Sequence, residues 1–211
     1  GDGGPVRPLP AMNEPLTIDD IVDQRAYERE REDFRSHVMA LKRRRRVGVG
    51  PHVTLVFENR DTIRFQIQEM ARVEKIITDE GIQMELDVYN PLIPAPGQIS
   101  ATLFVELTDE TQLREWLPKL VGIETEVEVR LGPTGGRRVR CRVDEAHLRQ
   151  LTREAITASV HYVHFDLDDD EVAAFAAGPV TLALTHPNYA HEVVLGEDTH
   201  AELLADLRGG T

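Results

Sequence analysis

The feature that most constrains this chain is a set of segments in which apolar and polar residues alternate. Residues 99–107 place an apolar side chain at every second position, and residues 123–131 and 138–143 largely repeat the pattern. Successive side chains of a β-strand point to opposite faces, so a period of two indicates a half-buried strand. A Gly-Pro-Thr-Gly-Gly segment joins the second and third runs, which is typical of a hairpin turn. At least part of the fold is therefore predicted to be an antiparallel sheet.

Opposite charges on the polar faces of the second and third runs predict their register. The predicted hairpin sets Glu124 opposite Arg142, Glu126 opposite Arg140 and Glu128 opposite Arg138. Opposite charges directly across a ladder stabilise that register by ~0.2–1 kcal/mol each. We interpret this ladder as structural, because nothing in it suggests catalysis. Cys141, within the third run, is interpreted as a small core residue.

Helical patterns precede these strands. Thr17 followed by Asp20 resembles a capping box, which predicts a long N-terminal helix that runs to about Arg46. Its apolar stripe consists of Tyr27, Phe34, Val38 and Leu41. A second helix, capped by Asn59 or Asp61, carries Ile63, Ile67, Met70 and Ile77 on one side.

An acidic run at Asp166–Glu171 marks a further helix start. Asp168 with Glu171 resembles a capping box, and it predicts a short helix that ends at Gly178. The run lacks the glycine and the ligand spacing of an EF-hand loop, whereas acidic residues favour helix N-termini. We therefore interpret it as a helix start rather than a calcium site.

These patterns together predict an α+β fold. We expect a single domain over residues 16–211, with a mainly antiparallel sheet, helices packed against it and a long N-terminal helix. Residues 1–15 are rich in Gly and Pro without periodicity, and we expect them to form a flexible tail.

The composition excludes several classes of protein. The single cysteine excludes an internal disulfide and a Cys-rich zinc or iron–sulfur site. We see no apolar run of about 20 residues and no signal peptide, so we expect a cytoplasmic protein without a membrane segment. No dinucleotide-binding glycine motif, phosphate-binding Walker loop or nucleophile elbow is present.

The charge distribution makes nucleic acid an unlikely partner. The net charge is −13, and almost all of the negative excess follows residue 80. Phosphate binding needs excess positive charge. One basic run, Lys42–Arg46, supports a weaker alternative, an RNA-associated module. We favour its interpretation as a helix C-terminus, where cations complement the helix dipole.

Among the eight histidines, His186 and His191 form the best candidate for a metal site. They flank residues 187–190, and a hairpin closed by that four-residue loop would set them opposite one another on the apolar face. Neutral imidazole is a common metal ligand, so the pair could bind iron or zinc. The alternative is that the two histidines satisfy backbone groups.

Further ligands could come from His161 and from Glu69 on the second helix. His161 cannot act with His164, because residues three apart on a strand point to opposite faces. Glu69 lies close to the apolar stripe of its helix, and such a carboxylate more often belongs to a hydrogen-bond network than to a reactive pocket.

Seven strings of the sequence carry a family resemblance. They are Ala40–Val47, Gly50–His52, Phe57–Thr62, Gln66–Met70, Glu85–Asp87, Tyr89–Pro94 and His186–Glu192. From about Leu16 to Leu207 the chain resembles a bacterial family described only as a domain of unknown function, number three-five-zero-one.

The resemblance implies a setting rather than a mechanism. Members are often encoded beside a rubrerythrin-like di-iron protein and an iron–sulfur oxidoreductase, which implies an accessory or partner subunit of a bacterial redox system. The alternative hypothesis is an iron- or zinc-dependent enzyme that uses the histidine and carboxylate candidates. No residue inherits a catalytic role, and a homo-oligomer is also compatible with the sequence.

Overall fold

The computed structural model describes residues 13–144 and 159–210 and confirms an α+β fold. The remainder of the predicted tail, residues 1–12, lies outside the described residues. The helices are α1 Gln24–Arg45, α2 Arg60–Glu74, α3 Asp79–Tyr89, α4 Glu110–Lys119, α5 Asp169–Ala177 and α6 Glu197–Leu207. The strands are β1 Arg46–Val49, β2 Val53–Phe57, β3 Gln98–Val105, β4 Val127–Leu131, β5 Arg137–Arg140, β6 Arg142–Val143, β7 Val160–Asp166, β8 Val180–His186 and β9 Tyr189–Val194.

The strands form two antiparallel sheets. One sheet has the order β1-β2-β3-β7-β6, and the other has the order β5-β4-β8-β9. The first sheet directs Leu55, Leu103 and Phe165 into the same apolar cluster that receives Val129 and Leu182 from the second. The main core therefore lies between the two sheets, and α6 adds apolar side chains to it.

A smaller core lies under α2 and α3. It consists of Leu16, Ile63, Ile67, Leu86, Leu92 and Ile93. Ile18 and Ile21 pack against this cluster from the segment that precedes α1. α2 and α3 therefore pack on a second apolar core that is separate from the main one.

The N-terminal helix begins later than the sequence predicts. The capping box of Thr17 and Asp20 is present, but it closes a short 3₁₀ turn over Ile18–Asp20. The chain then runs extended, and Asp23 caps α1 by accepting a hydrogen bond from the amide of Ala26 at 2.9 Å. Packing of Ile18 and Ile21 against the smaller core explains why the turn does not continue into the helix.

The predicted hairpin of β4 and β5 is present, but the register predicted for it was wrong by two residues. Glu128 lies opposite Arg140 rather than Arg138. Residues 123–125 form a 3₁₀ turn after Gly122, which has a φ of +85°, so the strand begins only at Val127. Glu124 is therefore not part of the ladder.

The predicted charge pairs persist only in part. Arg138 reaches Glu128 at 3.3 Å, and Arg140 pairs with Glu126. Both contacts are diagonal across the ladder, which long side chains can span. Arg142 belongs to the other sheet, where it pairs with Asp166 at 2.8 Å.

The short helix predicted after the acidic run is present as α5, with its capping box. The side chain of Asp168 accepts a hydrogen bond from the amide of Glu171 at 2.8 Å, and Glu171 reaches back to the amide of Asp168 at 3.1 Å. The helix ends at Gly178. No helix within residues 13–144 or 159–210 has the length and apolar character needed to cross a membrane.

Candidate functional site

The hairpin of β8 and β9 does not bring His186 and His191 together. Only Pro187 and Asn188 form its turn, so His186 lies opposite Tyr189 and His191 lies opposite Leu184. The prediction that the two histidines oppose one another is wrong. The turn is two residues shorter than expected, which moves each partner along its strand by two positions.

His186 serves the backbone instead. Its imidazole is buried, and its Nε2 lies 2.8 Å from the carbonyl oxygen of Val121. Its Nδ1 accepts a hydrogen bond from the amide of Asn188 at 3.1 Å, which leaves Nε2 as the donor to Val121. Both ring nitrogens are thus engaged. His191 is exposed, and its ring packs against that of Tyr189 at a centroid distance of 4.5 Å.

His161 is completely buried and points into the main core, away from the face that carries His164, as the strand pattern predicts. The carboxylate beside it is that of Glu124, with 3.8 Å between His161 Nδ1 and Glu124 Oε2.

The Cys141 thiol donates a hydrogen bond to the backbone carbonyl oxygen of Glu124 at 3.1 Å. Burial raises the pKa of this thiol to about 11, so it stays protonated and is a poor nucleophile.

The sequence did not single out Glu124 as a buried residue beside a histidine. Alternation placed it on a polar strand face. The available sequence signal was Gly122, which precedes Glu124. Glycine readily adopts the positive φ of a turn, as it does here, and a turn at this point delays the start of the strand.

Glu69 belongs to a network that joins α1 to α2. Its carboxylate accepts hydrogen bonds from Tyr27 Oη at 2.9 Å, from Arg31 Nη2 at 2.8 Å and from Arg72 Nε at 3.3 Å. The Arg31 guanidinium, with the help of Tyr27 and Arg72, lowers the pKa of this carboxyl to about 2. The interpretation of Glu69 as a network residue is confirmed.

The four predicted metal ligands thus lie in three separate environments. His186 and His191 belong to one hairpin, His161 lies in the main core, and Glu69 bridges two helices. Within the described part of the chain, no group of three His, Cys, Asp or Glu side chains is arranged to hold a metal ion. The iron or zinc hypothesis therefore stays a prediction that no observed geometry favours.

Glu69 allows a pH-dependent test of the helix network. Glu69→Gln is expected to lower the free energy of unfolding by about 1–2 kcal/mol at pH 7, after allowance for solvent at this partly exposed site. The folded-state pKa of about 2 lies below an unfolded value of about 4.3. The carboxylate therefore stabilises the fold above that unfolded pKa, and the contribution is lost as the pH falls towards the folded one.

Urea unfolding of wild type and variant from neutral to acid pH measures this difference. The exposed Glu74→Gln on the same helix is the control, with an expected change of less than about 0.5 kcal/mol. A difference for Glu69→Gln that stays constant down to the lowest pH would contradict the assignment.

The most unusual surface of the molecule lies on α3. Met84 and Val88 are 69% and 59% exposed, four residues apart, and Ile77 just before the helix is 81% exposed. Val73, in the last turn of α2, is 66% exposed. We call Val73, Ile77, Met84 and Val88 the α3 surface. Large apolar side chains gathered in one segment of the chain are typical of an interaction site, whereas single exposed ones are not.

The sequence predicted neither α3 nor its surface. Ile77 was assigned to the buried stripe of the second helix, and this assignment was wrong. The helix ends at Glu74 because Lys75 adopts a left-handed conformation with a φ of +55°. Thr78 then caps α3 by accepting a hydrogen bond from the amide of Gly81 at 3.1 Å.

A groove adjoins the α3 surface. Its volume is about 370 Å³. Five isoleucines line it, together with polar and charged residues that include Arg25 and Arg72. The isoleucines are Ile18, Ile21, Ile76, Ile77 and Ile82. A groove of this size and character can accept an apolar side chain of a docked protein.

The helix that carries Met84 and Val88 is acidic. α3 carries Asp79, Glu80, Glu85 and Asp87, and it carries no lysine or arginine. Burial and then the neighbouring charge of Glu74 raise the pKa of the Glu85 carboxyl above its usual value. This arrangement is complementary to an apolar face with a basic rim.

Comparison with known proteins identifies the family. The model of the family described as "Protein of unknown function (DUF3501)" matches residues 15–207. The chain belongs to this family. No curated protein matches it.

A solved structure supports the fold. The crystal structure of a novel protein of unknown function from Burkholderia pseudomallei K96243 is similar to this chain, with a TM-score of 0.85 and 38% sequence identity. The match covers 92% of this chain and 100% of that chain. The resemblance seen in the sequence is confirmed.

Several strings that carry the DUF3501 resemblance lie near the α3 surface. Glu85–Asp87 lies within α3, Tyr89–Pro94 begins at its last residue, and Gln66–Met70 lies in α2. The family resemblance therefore extends to the elements that build this surface.

Proposed function

We propose that this protein is an accessory subunit of a bacterial redox system and that it docks to its partner through the α3 surface. The partners are those that the family resemblance implies, a rubrerythrin-like di-iron protein and an iron–sulfur oxidoreductase. The observation that carries the proposal is the exposure of Ile77, Met84 and Val88 beside a groove that contains five isoleucines.

The exposed apolar residues of α3 are not needed to anchor the helix to the smaller core. Leu86 is fully buried, so α3 already has an inward face that anchors it to the smaller core. Met84 and Val88 lie on another side of the same helix. Methionine adapts its shape to a partner surface, and apolar side chains in the centre of an interface provide most of its binding energy.

The acidic residues of α3 support an oriented contact. A partner with basic residues around an apolar centre would gain association rate from the opposite charges, and salt would reduce this gain. Binding through the α3 surface is therefore expected to weaken moderately as ionic strength rises, while the apolar contribution persists.

Val88→Asp tests the surface directly. A charge placed at the interface is expected to weaken binding to the partner by about tenfold or more, because it must lose water without gaining a partner. The measurement is isothermal titration of the full chain with each purified neighbour protein.

Val194→Asp is a matched control. Val194 is 60% exposed, against 59% for Val88, but it lies on β9 rather than α3. Equal loss of binding in both variants, or no binding of the wild type to either neighbour, would contradict the proposal. Self-association that Val88→Asp abolishes, without binding to either neighbour, would replace it with a homo-oligomer.

A further inference from the structure

The outer face of the five-stranded sheet carries buried polar side chains as well as apolar ones. Its inner face carries the apolar side chains of the main core. The buried polar side chains of the outer face are Thr54, Ser100, Thr102 and His164, with Glu58 just after the end of β2, and each is at most 8% exposed. Val56, which is also buried, lies on the same face. The polar face of an antiparallel sheet commonly faces water. Burial of so many polar groups on one face therefore needs a reason.

A pocket lies on this face. It has a volume of about 370 Å³. A row of directly paired residues crosses four strands beneath it, from Arg46 through Val56 and Thr102 to Tyr162. Because side chains in such a row lie side by side, the sheet itself forms a continuous floor.

Glu58 places a carboxylate in the pocket. It is 8% exposed. Its Oε1 accepts a hydrogen bond from Thr102 Oγ1 at 2.8 Å, and its Oε2 accepts one from Thr62 Oγ1. A carboxylate offers about four acceptor positions, so two hydroxyl donors leave capacity for more.

Among residues 13–144 and 159–210, no lysine, arginine or histidine side chain forms an ion pair with the Glu58 carboxylate. Arg45 Nη1 donates to the Glu58 backbone carbonyl at 3.4 Å rather than to the carboxylate. A buried anion without a positive partner is energetically costly, and a cationic ligand group would relieve that cost.

Two phenols lie beside the carboxylate. Tyr89 and Tyr162 both line the pocket. Burial, followed by the interaction with Tyr89 and the charge of Glu58, raises the pKa of Tyr162 to about 12. The phenol therefore keeps its proton at physiological pH and interacts with Tyr89.

Two basic side chains also line the pocket. Lys42 is half-buried and Arg46 is exposed, and both line the pocket. Arg46 also lies 3.8 Å from Glu106, but both side chains are more than half exposed, so this pair holds the guanidinium only weakly. Phe104, Val160 and Leu92 supply an apolar wall.

We propose that this pocket binds a small amphoteric molecule of the apolar α-amino-acid type. Its ammonium group would bind the Glu58 carboxylate, its carboxylate would bind Lys42 and Arg46, and its side chain would pack on Phe104 and Val160. The volume is near the lower end of the range for ligand pockets, which favours a molecule of this size over a dinucleotide.

Isothermal titration of the full chain with L-leucine, L-phenylalanine and L-methionine tests the proposal. The matched probes are 4-methylpentanoate, which lacks the ammonium group of leucine, and 3-methylbutylamine, which lacks its carboxylate. The corresponding probes are 3-phenylpropanoate and 2-phenylethylamine for phenylalanine, and 4-(methylthio)butanoate and 3-(methylthio)propylamine for methionine. At least one amino acid is expected to bind about tenfold or more tightly than its own two probes, the effect of one charge-assisted hydrogen bond. No binding of any amino acid at millimolar concentration, or equal binding of the matched probes, would overturn it.

Two variants assign the ligand groups. Glu58→Gln is expected to remove the preference for the amino acid over the matching acid. Arg46→Ala, at an exposed position with little risk to folding, is expected to reduce the preference over the matching amine. Wild-type preferences in both variants would overturn the assignment. Val88→Asp should leave amino-acid binding unchanged, so the result is independent of the docking proposal.

Discussion

Replacing Arg45 with methionine is expected to lower the free energy of unfolding by about 3–5 kcal/mol. Arg45 is 2% exposed at the end of α1. Its Nη1 and Nη2 each donate to Asp206 at 2.8 Å, and its Nε donates to Glu202 at 3.0 Å. Methionine retains much of the apolar stem but leaves the buried Asp206 carboxylate without its cation.

The electrostatic balance at this site explains the size of the effect. Burial and the charge of Glu202 raise the pKa of the Asp206 carboxyl although pairing with Arg45 lowers it, whereas Asp206 and Glu202 raise the pKa of the Arg45 guanidinium in spite of its burial. A buried ion pair of this kind commonly adds little net stability, but removal of one member leaves an uncompensated buried charge. The double variant Arg45→Met with Asp206→Leu is accordingly expected to be more stable than Arg45→Met alone.

Arg43→Met is the matched control for urea unfolding. Arg43 belongs to the same basic run but is exposed, so its replacement should change the unfolding free energy by less than about 0.5 kcal/mol. Equal effects of the Arg43 and Arg45 variants would contradict the assignment.

The same contacts bear on the basic run as a whole. Lys42, Arg43, Arg44 and Arg45 form the last turn of α1, which confirms the interpretation as a helix C-terminus. Arg44 and Arg45 both bind Glu202 of α6. These pairs reduce the positive charge available to a phosphate backbone, and they support a structural role for the run over RNA binding.

Replacing Tyr189 with phenylalanine is expected to lower the free energy of unfolding by about 2–4 kcal/mol. The Tyr189 hydroxyl donates to the carbonyl oxygen of Val49 at 2.6 Å and lies 3.0 and 3.2 Å from the amides of His52 and Val53, from which it accepts. Tyr189 begins β9 of the four-stranded sheet, whereas these partners belong to the β1–β2 hairpin of the five-stranded sheet. Loss of one oxygen thus leaves buried backbone groups unpaired at a junction between the sheets.

Tyr27→Phe is the control for this prediction. The hydroxyl of Tyr27 makes one hydrogen bond, to Glu69 at 2.9 Å, so the expected loss is about 1 kcal/mol. Thermal or urea unfolding of both variants gives the comparison. A Tyr189 variant no less stable than the Tyr27 variant would show that the junction does not depend on this hydroxyl.

The strands were predictable because alternation follows from backbone geometry. It located β3, β4 and β5, and strand geometry placed His161 and His164 on opposite faces of β7. It could not predict where a strand stops. The 3₁₀ turn at Ile123–Thr125 shifted one register, and the two-residue turn after His186 shifted the other.

Contacts between distant segments were beyond the reach of a local pattern. Gly50 forms the β1–β2 turn with a φ of +72°. A Cβ there would lie 2.5 Å from the Tyr189 hydroxyl, which comes from the other sheet. The pairing of Arg45 with Asp206 likewise depends on the packing of α1 against α6.

The candidate docking surface was missed for a related reason. Apolar residues at helical spacing usually indicate a buried face, and the sequence does not distinguish a side that packs internally from one that faces a partner. In α3 the buried apolar anchor is Leu86, while Met84 and Val88 are exposed. Only the folded arrangement separates these two sets.

Hydrogen–deuterium exchange with and without the purified rubrerythrin-like or iron–sulfur neighbour tests the docking proposal most directly. It reports protection along the whole backbone and does not depend on a chosen variant. The account predicts that the partner slows exchange over residues 77–88, with smaller changes in the last turn of α2. Protection confined to another region, such as the β8–β9 hairpin, or no change with either neighbour would contradict it.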